Sequence, residues 1–342
     1  MKKIIKNSSL VLFAVMTLSL SLSLMLMAGG CSGKKSGSTA GEDSALNNAA
    51  RLVIGNNPNY FPVIVAYEKG FLREEFGDAL KIEIPHFLNG PAQNEAFKAG
   101  QIDIANMEDL PTIQLWANGT DIQVISYLYD APDGYSLVAN KRSGIQTKAD
   151  FKGKKIATQF GTNFHKFTLN FLTAQGLDVN DAQILNLQRS EALIALKQGV
   201  VDAATLDEPS LSESLKDNNI IEICTTRDYG GLYTVTFVRS EYANKNPQIV
   251  SRYLKVVKKT NDWCAQNPDE AAQIMAKFMG NNNLVETKEY LESRTWPVAA
   301  DQGLIDRLNN TIKFCRGYEL ITRDDLDAKN LVNDTYVKGA GL

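Results

Sequence analysis

Histidine is nearly missing from this sequence: the 342 residues hold two, His86 and His165. Neither is near a cysteine in the chain, which leaves no His/Cys cluster for zinc or for nucleophilic chemistry. Cysteine is almost as scarce. Cys31, Cys224, Cys264 and Cys315 have no metal-type spacing. A Cys264–Cys315 bridge stays open as an alternative, with isolated buried thiols as the expected state. Gly-x-Ser-x-Gly, His-Glu-x-x-His and Gly-Lys-Ser/Thr are all absent. No catalytic residue, metal or cofactor is therefore expected. Past residue 27 no apolar run is long enough to cross a membrane.

An excess of positive charge is missing too. The net charge is −3, and losing Lys2, Lys3 and Lys6 with a cleaved leader would take it to about −6, which argues against nucleic acid as a partner. That leader is the first feature present. Met1 to Lys6 is basic without an acid, and Leu10 to Met27 is apolar or hydroxyl-bearing. This is the layout of a secretory signal over residues 1–30. It ends at Met27-Ala28-Gly29-Gly30-Cys31, which resembles a bacterial lipobox with Cys31 as the lipidated residue. An ordinary secretory cleavage and a retained membrane anchor are the alternatives. Residues 31–50 are rich in Ser, Gly, Lys and Ala and read as a flexible tether.

Beyond the tether the chain repeats itself. Ala96-Phe97-Lys98-Ala99-Gly100-Gln101-Ile102-Asp103-Ile104 returns as Ala195-Leu196-Lys197-Gln198-Gly199-Val200-Val201-Asp202-Ala203. Each copy reads as a helix end, a Gly able to take the left-handed conformation, and an apolar strand. Asp103 and Asp202 look catalytic, but a short Asp in that setting is expected to cap backbone donors. Upstream the match continues as strand–helix–strand–helix in both copies, starting at Leu52 and at Lys155. Strands alternating with helical patterns imply a parallel-rich sheet flanked by helices, twice over. Lobe one is expected over 51–138 and lobe two over 139–231. Residues 232–342 are expected as a return strand and C-terminal helices packing on lobe one. Ser136 to Gly144 and Leu232 to Val238 are the expected hinge crossings, and hinge closure round a ligand suits that layout.

Several runs carry a family resemblance. They are Tyr60-Phe61-Pro62 with Ala66 to Phe71, Asn89 to Ala96, Ala99 to Ile104, Gly161 to His165, and Gly199 to Ala203 with Asp207-Glu208-Pro209. On these the chain resembles the substrate-binding proteins of bacterial ABC importers, in the nitrate, sulfonate and taurine group. That group has relatives binding thiamine-precursor pyrimidines and riboflavin. The run Gly90 to Ile104 looks most like the aliphatic-sulfonate binders. The resemblance implies a two-lobed α/β periplasmic-binding-protein fold, type II-like, with two crossings. It also implies an exported, lipid-anchored monomer at the outer face of the cytoplasmic membrane, no enzyme activity, and an ABC permease and ATPase as partners. The ligand expected is a small organic anion. A pyrimidine-precursor synthase lacks its His/Cys cluster here, and an extracellular sensor would need a separate output protein.

Ligands of open parallel sheets sit beyond the carboxyl ends of the strands. Gly90-Pro91-Ala92 and Thr162-Asn163 open helices there, and free N–H groups at a helix start suit a sulfonate. The alternative for both is plain capping. His165, in the first turn of the second of these helices, is a further candidate. Glu208 and Asp109 pose one question, whether an acid faces the cleft and favours a zwitterion over a simple anion. Tyr60, with Phe61 and Tyr129, is a candidate for an apolar wall. Asn57, at the end of the first strand, is a candidate hydrogen-bonding group.

Overall fold

The computed structural model describes residues 51–57, 60–280 and 283–342. The expected leader, the tether and Cys31 lie outside them. Among the described residues, ten strands make two five-stranded sheets. The first holds β1 (Arg51–Gly55), β2 (Lys81–Glu83), β3 (Ile104–Glu108), β4 (Ile122–Ala131) and β10 (Leu232–Arg239) in the order β2-β1-β3-β10-β4. The second holds β5 (Ser136–Asn140), β6 (Lys155–Thr158), β7 (Gln183–Asn186), β8 (Ala203–Leu206) and β9 (Ile220–Thr225) in the order β7-β6-β8-β5-β9.

The two orders are the same pattern. In each sheet the first three strands pair in parallel, and the last two pairings are antiparallel. The sheets are therefore mixed rather than parallel throughout. Parallel neighbours need a helical crossover. β5 and β10 instead arrive by short loops from the other sheet, and run against their neighbours. Ser136–Asn140, expected as a crossing, is a strand inside the second sheet. The chain changes sheet over residues 132–135 and again over 226–231.

The repeat predicts its own scaffold well. Gly100 and Gly199 take φ of +74° and +72°, and each ends a helix, α3 (Gly90–Lys98) and α6 (Arg189–Gln198). The Val53 N–H donates to Asp103 Oδ2 at 2.9 Å, and the Lys155 N–H to Asp202 Oδ2 at 2.7 Å. Both aspartates thus tie a strand's backbone to the neighbouring segment, the capping role expected of them.

Between β1 and β2 lie α1 (Phe61–Glu68) and α2 (Phe71–Phe76); α4 (Asp109–Ala117) follows β3. In the second half α5 (Asn163–Ala174) follows β6, and α7 (Ser210–Leu215) follows β8. After β10 the chain is helical: α8 (Ser240–Lys245), α9 (Pro247–Gln266), α10 (Pro268–Met279), α11 (Leu284–Glu292), α12 (Gln302–Gly317) and α13 (Thr335–Gly339). Proline within the first two positions of α9 and α10 fits those starts, where its missing N–H would have no helical partner. Ile249, Val250, Tyr253, Leu254, Val256 and Val257 put the apolar stripe of α9 into the first sheet's core, which Leu304, Leu308 and Ile312 of α12 also enter. A lobe, below, is one sheet with the helices that share its core. Among the described residues no helix is long and apolar enough to cross a membrane. Cys224, Cys264 and Cys315 are free, buried thiols, so Cys264 and Cys315 are not bridged.

Candidate functional site

The strand ends of both sheets meet at one enclosed chamber. β1 delivers Asn57 and Tyr60, β3 delivers Glu108, and β4 delivers Tyr129. The second sheet answers with Gln159 and Thr162 after β6, Phe164 on α5, Arg189 at the start of α6, and Asp207 after β8. Tyr135 and Leu232 come from the two changes of sheet, and Tyr290 and Arg294 from the end of α11 and beyond. The space open to the centre of a water molecule is about 30 Å³.

Charge in this chamber is balanced. Arg189 Nη1 meets Asp207 Oδ2 at 2.7 Å. Burial raises the Asp207 carboxyl above the usual range against the pull of Arg189, and the charge of Asp207 raises Arg189 in turn. Asp207 Oδ1 is buried and has no hydrogen-bond partner among the described residues; Arg294 Nε is in the same state. The Arg294 guanidinium lies 3.4 Å from the Tyr290 ring centroid and 5.7 Å from that of Tyr129, a cation–π cradle. Glu108 accepts from the Tyr135 hydroxyl, and from the Asn163 N–H at 3.3 Å. Burial still pushes its carboxyl up to about 7, with the neighbouring Asp109 adding to the rise. Tyr135 stacks on Phe164 with centroids 3.9 Å apart and planes 12° from parallel. An aromatic box with two guanidiniums and two carboxylates can hold a short molecule bearing an anionic head, and can read a donor at its other end.

Of the residues picked out from the sequence, Asn57, Tyr60, Gly90, Tyr129 and Thr162 line this chamber, while Phe61 packs in the core. Gly90 is glycine because a Cβ there would meet Pro111 Cγ at 2.6 Å. Pro91 and Ala92 do not line it; both are exposed, and the Ala92 N–H is taken by its own cap, Asn89 Oδ1, at 3.0 Å. Thr162 spends its hydroxyl on the Gln159 carbonyl at 2.6 Å. Asn163 and Asp109 are turned to each other: Asn163 Nδ2 donates to Asp109 Oδ1 at 2.5 Å. Asp109 is fully buried and also holds Lys166 and Thr311. Burial alone would raise its carboxyl, but Lys166 and these hydrogen bonds outweigh that and lower it. His165 stacks on Phe160 at 4.4 Å, away from the chamber, and burial pushes its imidazole down to about 4. Glu208 caps the Ser212 N–H at 3.2 Å and lines an outer groove instead.

The acids of the chamber are thus Glu108 and Asp207, each one residue before the acid picked from the sequence. Shifting the repeat by 99 residues superposes Glu108 on Asp207 and Asp109 on Glu208. That register pairs the acids picked from the sequence equally well, so the repeat alone does not tell the two pairs apart. Arg189 opens α6 where Gly90 opens α3, under the same shift. Tyr290 and Arg294 have no counterpart in the repeat, and only their i, i+4 spacing links them.

Comparison with known proteins agrees with this architecture. The sequence model of the family described as "NMT1/THI5 like" matches residues 57–271. A Bacillus subtilis (strain 168) protein named for the binding of aliphatic sulfonates is 28% identical over 291 residues, covering 84% of this chain and 87% of its own. The crystal structure of the periplasmic aliphatic sulphonate binding protein SsuA from Escherichia coli superposes with a TM-score of 0.75 at 24% identity, over 83% of this chain and 92% of that one. The alkanesulfonate-binding protein SsuA from Xanthomonas axonopodis pv. citri, bound to MOPS, gives 0.72 at 22%, over 83% and 98%. All three are named as binding proteins, none as an enzyme. With more than half of the chain matched, and both sheets arranged alike, the chain belongs to the NMT1/THI5-like family and has the periplasmic-binding-protein fold.

Proposed function

We propose that this chain is the extracytoplasmic solute-binding component of an ABC importer, and that it captures a small aliphatic sulfonate between its lobes. The observation that carries the reading is Arg294, which lines an aromatic chamber built from both sheets and whose Nε is a buried guanidinium N–H without a partner among the described residues. A sulfonate oxygen is the acceptor such a donor calls for, and the tyrosine rings cover an alkyl stem. Sulfonate-binding relatives support the assignment. Cys31 is proposed as the lipid attachment that holds the protein at the outer face of the membrane, with residues 31–50 as tether and a permease with its ATPase as partners. The expected domain division of 51–138, 139–231 and 232–342 is proposed with its first boundary moved back to the loop before Ser136, since β5 belongs to the second sheet.

A thermal-shift panel of alkanesulfonates, taurine, nitrate, a pyrimidine precursor and riboflavin tests it, since a ligand that binds only the folded state raises the melting temperature. The expected result is a shift with sulfonates that Arg294→Met abolishes. A shift with the pyrimidine or riboflavin alone would overturn the ligand and leave the class.

A second reading, a zwitterionic aminosulfonate, rests on Asp207 Oδ1. This carboxylate oxygen is buried and unpartnered among the described residues, and its residue lines the same chamber. Taurine and 1-propanesulfonate differ by an ammonium for a methyl. Tighter binding of taurine, lost in Asp207→Asn, supports the second reading; equal or tighter binding of propanesulfonate supports the first.

A further inference from the structure

The charges that line the chamber cancel, and a simple anion entering it upsets the balance. Glu108 and Asp207 stand against Arg189 and Arg294. The two acids are held differently. Asp207 has the Arg189 guanidinium on it at 2.7 Å. Glu108 makes no ion pair among the described residues. Its carboxyl oxygens accept only from neutral donors, the Tyr135 hydroxyl at Oε1 and the Asn163 N–H at Oε2. A buried carboxylate with neutral partners alone is harder to keep ionised than one paired to a cation.

The groups that face Glu108 leave it as the one to change. Asp109, next in the chain at the start of α4, repels it and is itself held ionised by Lys166 of α5. Tyr60 after β1, Tyr129 of β4, Tyr135 between the sheets and Tyr290 of α11 all feel its charge, and burial raises each phenol above its ordinary value of 10.0, so they stay neutral near pH 7. Arg189 at the start of α6 attracts Glu108, but Asp207 is its nearest partner. Asp207, after β8, is drawn back toward its charged form by Arg189 and by Arg294. Neither histidine lines the chamber.

We infer that the chamber takes up a proton together with a simple anion, and that Glu108 is the group that receives it, an inference that rests on the anion site proposed above. The proton comes from solvent, goes onto a carboxyl oxygen of Glu108 and returns to solvent when the ligand leaves; no other bond changes. A carboxylate only accepts hydrogen bonds, and would repel a sulfonate; the neutral carboxyl gains an O–H that can donate to one of its oxygens. A sulfonate stays ionised at any pH near neutrality, so the proton cannot arrive on the ligand. Burial already sets the Glu108 carboxyl at about 7, and a bound anion raises it further. Taurine differs, because its ammonium supplies the compensating charge itself.

Calorimetry on the full-length chain in detergent, with 1-propanesulfonate, nitrate and taurine as probes, tests this at pH 6 and pH 8. Repeating each titration in two buffers of different protonation enthalpy counts the protons. At pH 8 about one proton is expected per propanesulfonate or nitrate, and none per taurine. With a midpoint of about 7, the protonated fraction falls about tenfold from pH 6 to pH 8, and affinity for the two simple anions should fall with it. Glu108→Gln should lose both the uptake and the pH dependence. At pH 8 it should bind propanesulfonate more tightly than wild type, which a residue that only supports the wall would not produce. The wild-type proton counts stand on their own if the variant does not fold. Carbon-13 NMR of protein labelled at its glutamate carboxyls locates the proton: the resonance missing from Glu108→Gln should titrate near pH 7 without ligand and higher with propanesulfonate. A simple anion bound at pH 8 without proton uptake would overturn the inference, as would uptake that leaves the Glu108 resonance unmoved or a proton taken up with taurine. Nitrate bound with its proton, and no sulfonate bound, upholds the inference and overturns the sulfonate assignment. No probe bound at either pH overturns both.

Discussion

Glu108→Gln should change how stability depends on pH, by an amount the structure fixes. The carboxyl titrates at about 7 in the fold, against an ordinary value of 4.5, because burial disfavours its charged form. Below 4.5 it is protonated whether folded or unfolded, and its neutral form contributes fully. Between 4.5 and 7 the unfolded chain releases the proton and the folded chain keeps it, so stability falls as pH rises. Above 7 both states are ionised and the loss is complete. The difference of about 2.5 pKa units corresponds to roughly 3 kcal/mol. Glutamine is neutral throughout and has no such slope. Between pH 5 and pH 8 the wild type should therefore lose about 2 to 3 kcal/mol more than the variant. Urea unfolding followed at both values measures this directly. Acids that do not interact with Glu108 are common to both proteins and cancel in the comparison. The amide that replaces the carboxylate cannot accept as well from both Tyr135 and the Asn163 N–H, which lowers the variant at every pH without tilting its slope. Parallel pH profiles for the two proteins would show that Glu108 is ionised normally in the fold, and that the chamber is wetter than its walls imply.

Three further outcomes follow from geometry already described. Asp103→Ala strands the part-buried Val53 N–H and should cost about 1 to 3 kcal/mol in urea unfolding, whereas Asp202→Ala leaves the exposed Lys155 N–H to water and should cost about 0.5 to 1.5 kcal/mol; both should leave affinity for the best ligand unchanged. A change in affinity without a change in stability would instead put an aspartate in the binding site. Gly90→Ala drives a Cβ to within 2.6 Å of Pro111 Cγ and 3.3 Å of Met107 Sδ, an overpacking that should destabilise by about 1 to 3 kcal/mol; a neutral effect in thermal unfolding would mean that α3 can slide off the Pro111 ring. Cys224, Cys264 and Cys315 are buried, and burial pushes their thiols up to about 11, 12 and 12. A thiol reagent at pH 8 should leave these three unmodified until denaturant is added, as the thiolate is the reacting form.

What the sequence shows and what it hides divide along one physical line. A repeated scaffold is written locally: Gly100 and Gly199 must end helices, and Asp103 and Asp202 must cap the strands beside them, whatever the rest of the chain does. Those features were legible because each is set by a few neighbouring residues. The wall of the chamber is set by direction, and direction at a strand end turns over with every residue. Glu108 and Asp109 are adjacent acids. One ends β3 pointing into the chamber, the other begins α4 and is swallowed by Lys166, Asn163 and Thr311. Nothing in the pair Glu-Asp says which is which, and the same ambiguity recurs at Asp207-Glu208. The repeat does not remove it, because the register that pairs Glu108 with Asp207 also pairs Asp109 with Glu208. Arg294 could not be found from the repeat at all. It belongs to the C-terminal helices, which occur once, and it reaches the site only because α11 packs where Tyr290 and Tyr129 can cradle its guanidinium. The duplicated part of the chain therefore supplies two acids and a single arginine, in balance with neither a simple anion nor a simple cation. The unduplicated part adds the guanidinium that brings the two signs into balance, and with it a donor whose Nε has no partner among the described residues. A relative that keeps both repeats and loses Arg294 should then bind a different class of solute on the same scaffold, and Arg294→Met, assayed against a panel of neutral and cationic solutes as well as sulfonates, tests whether one residue outside the repeat sets that choice.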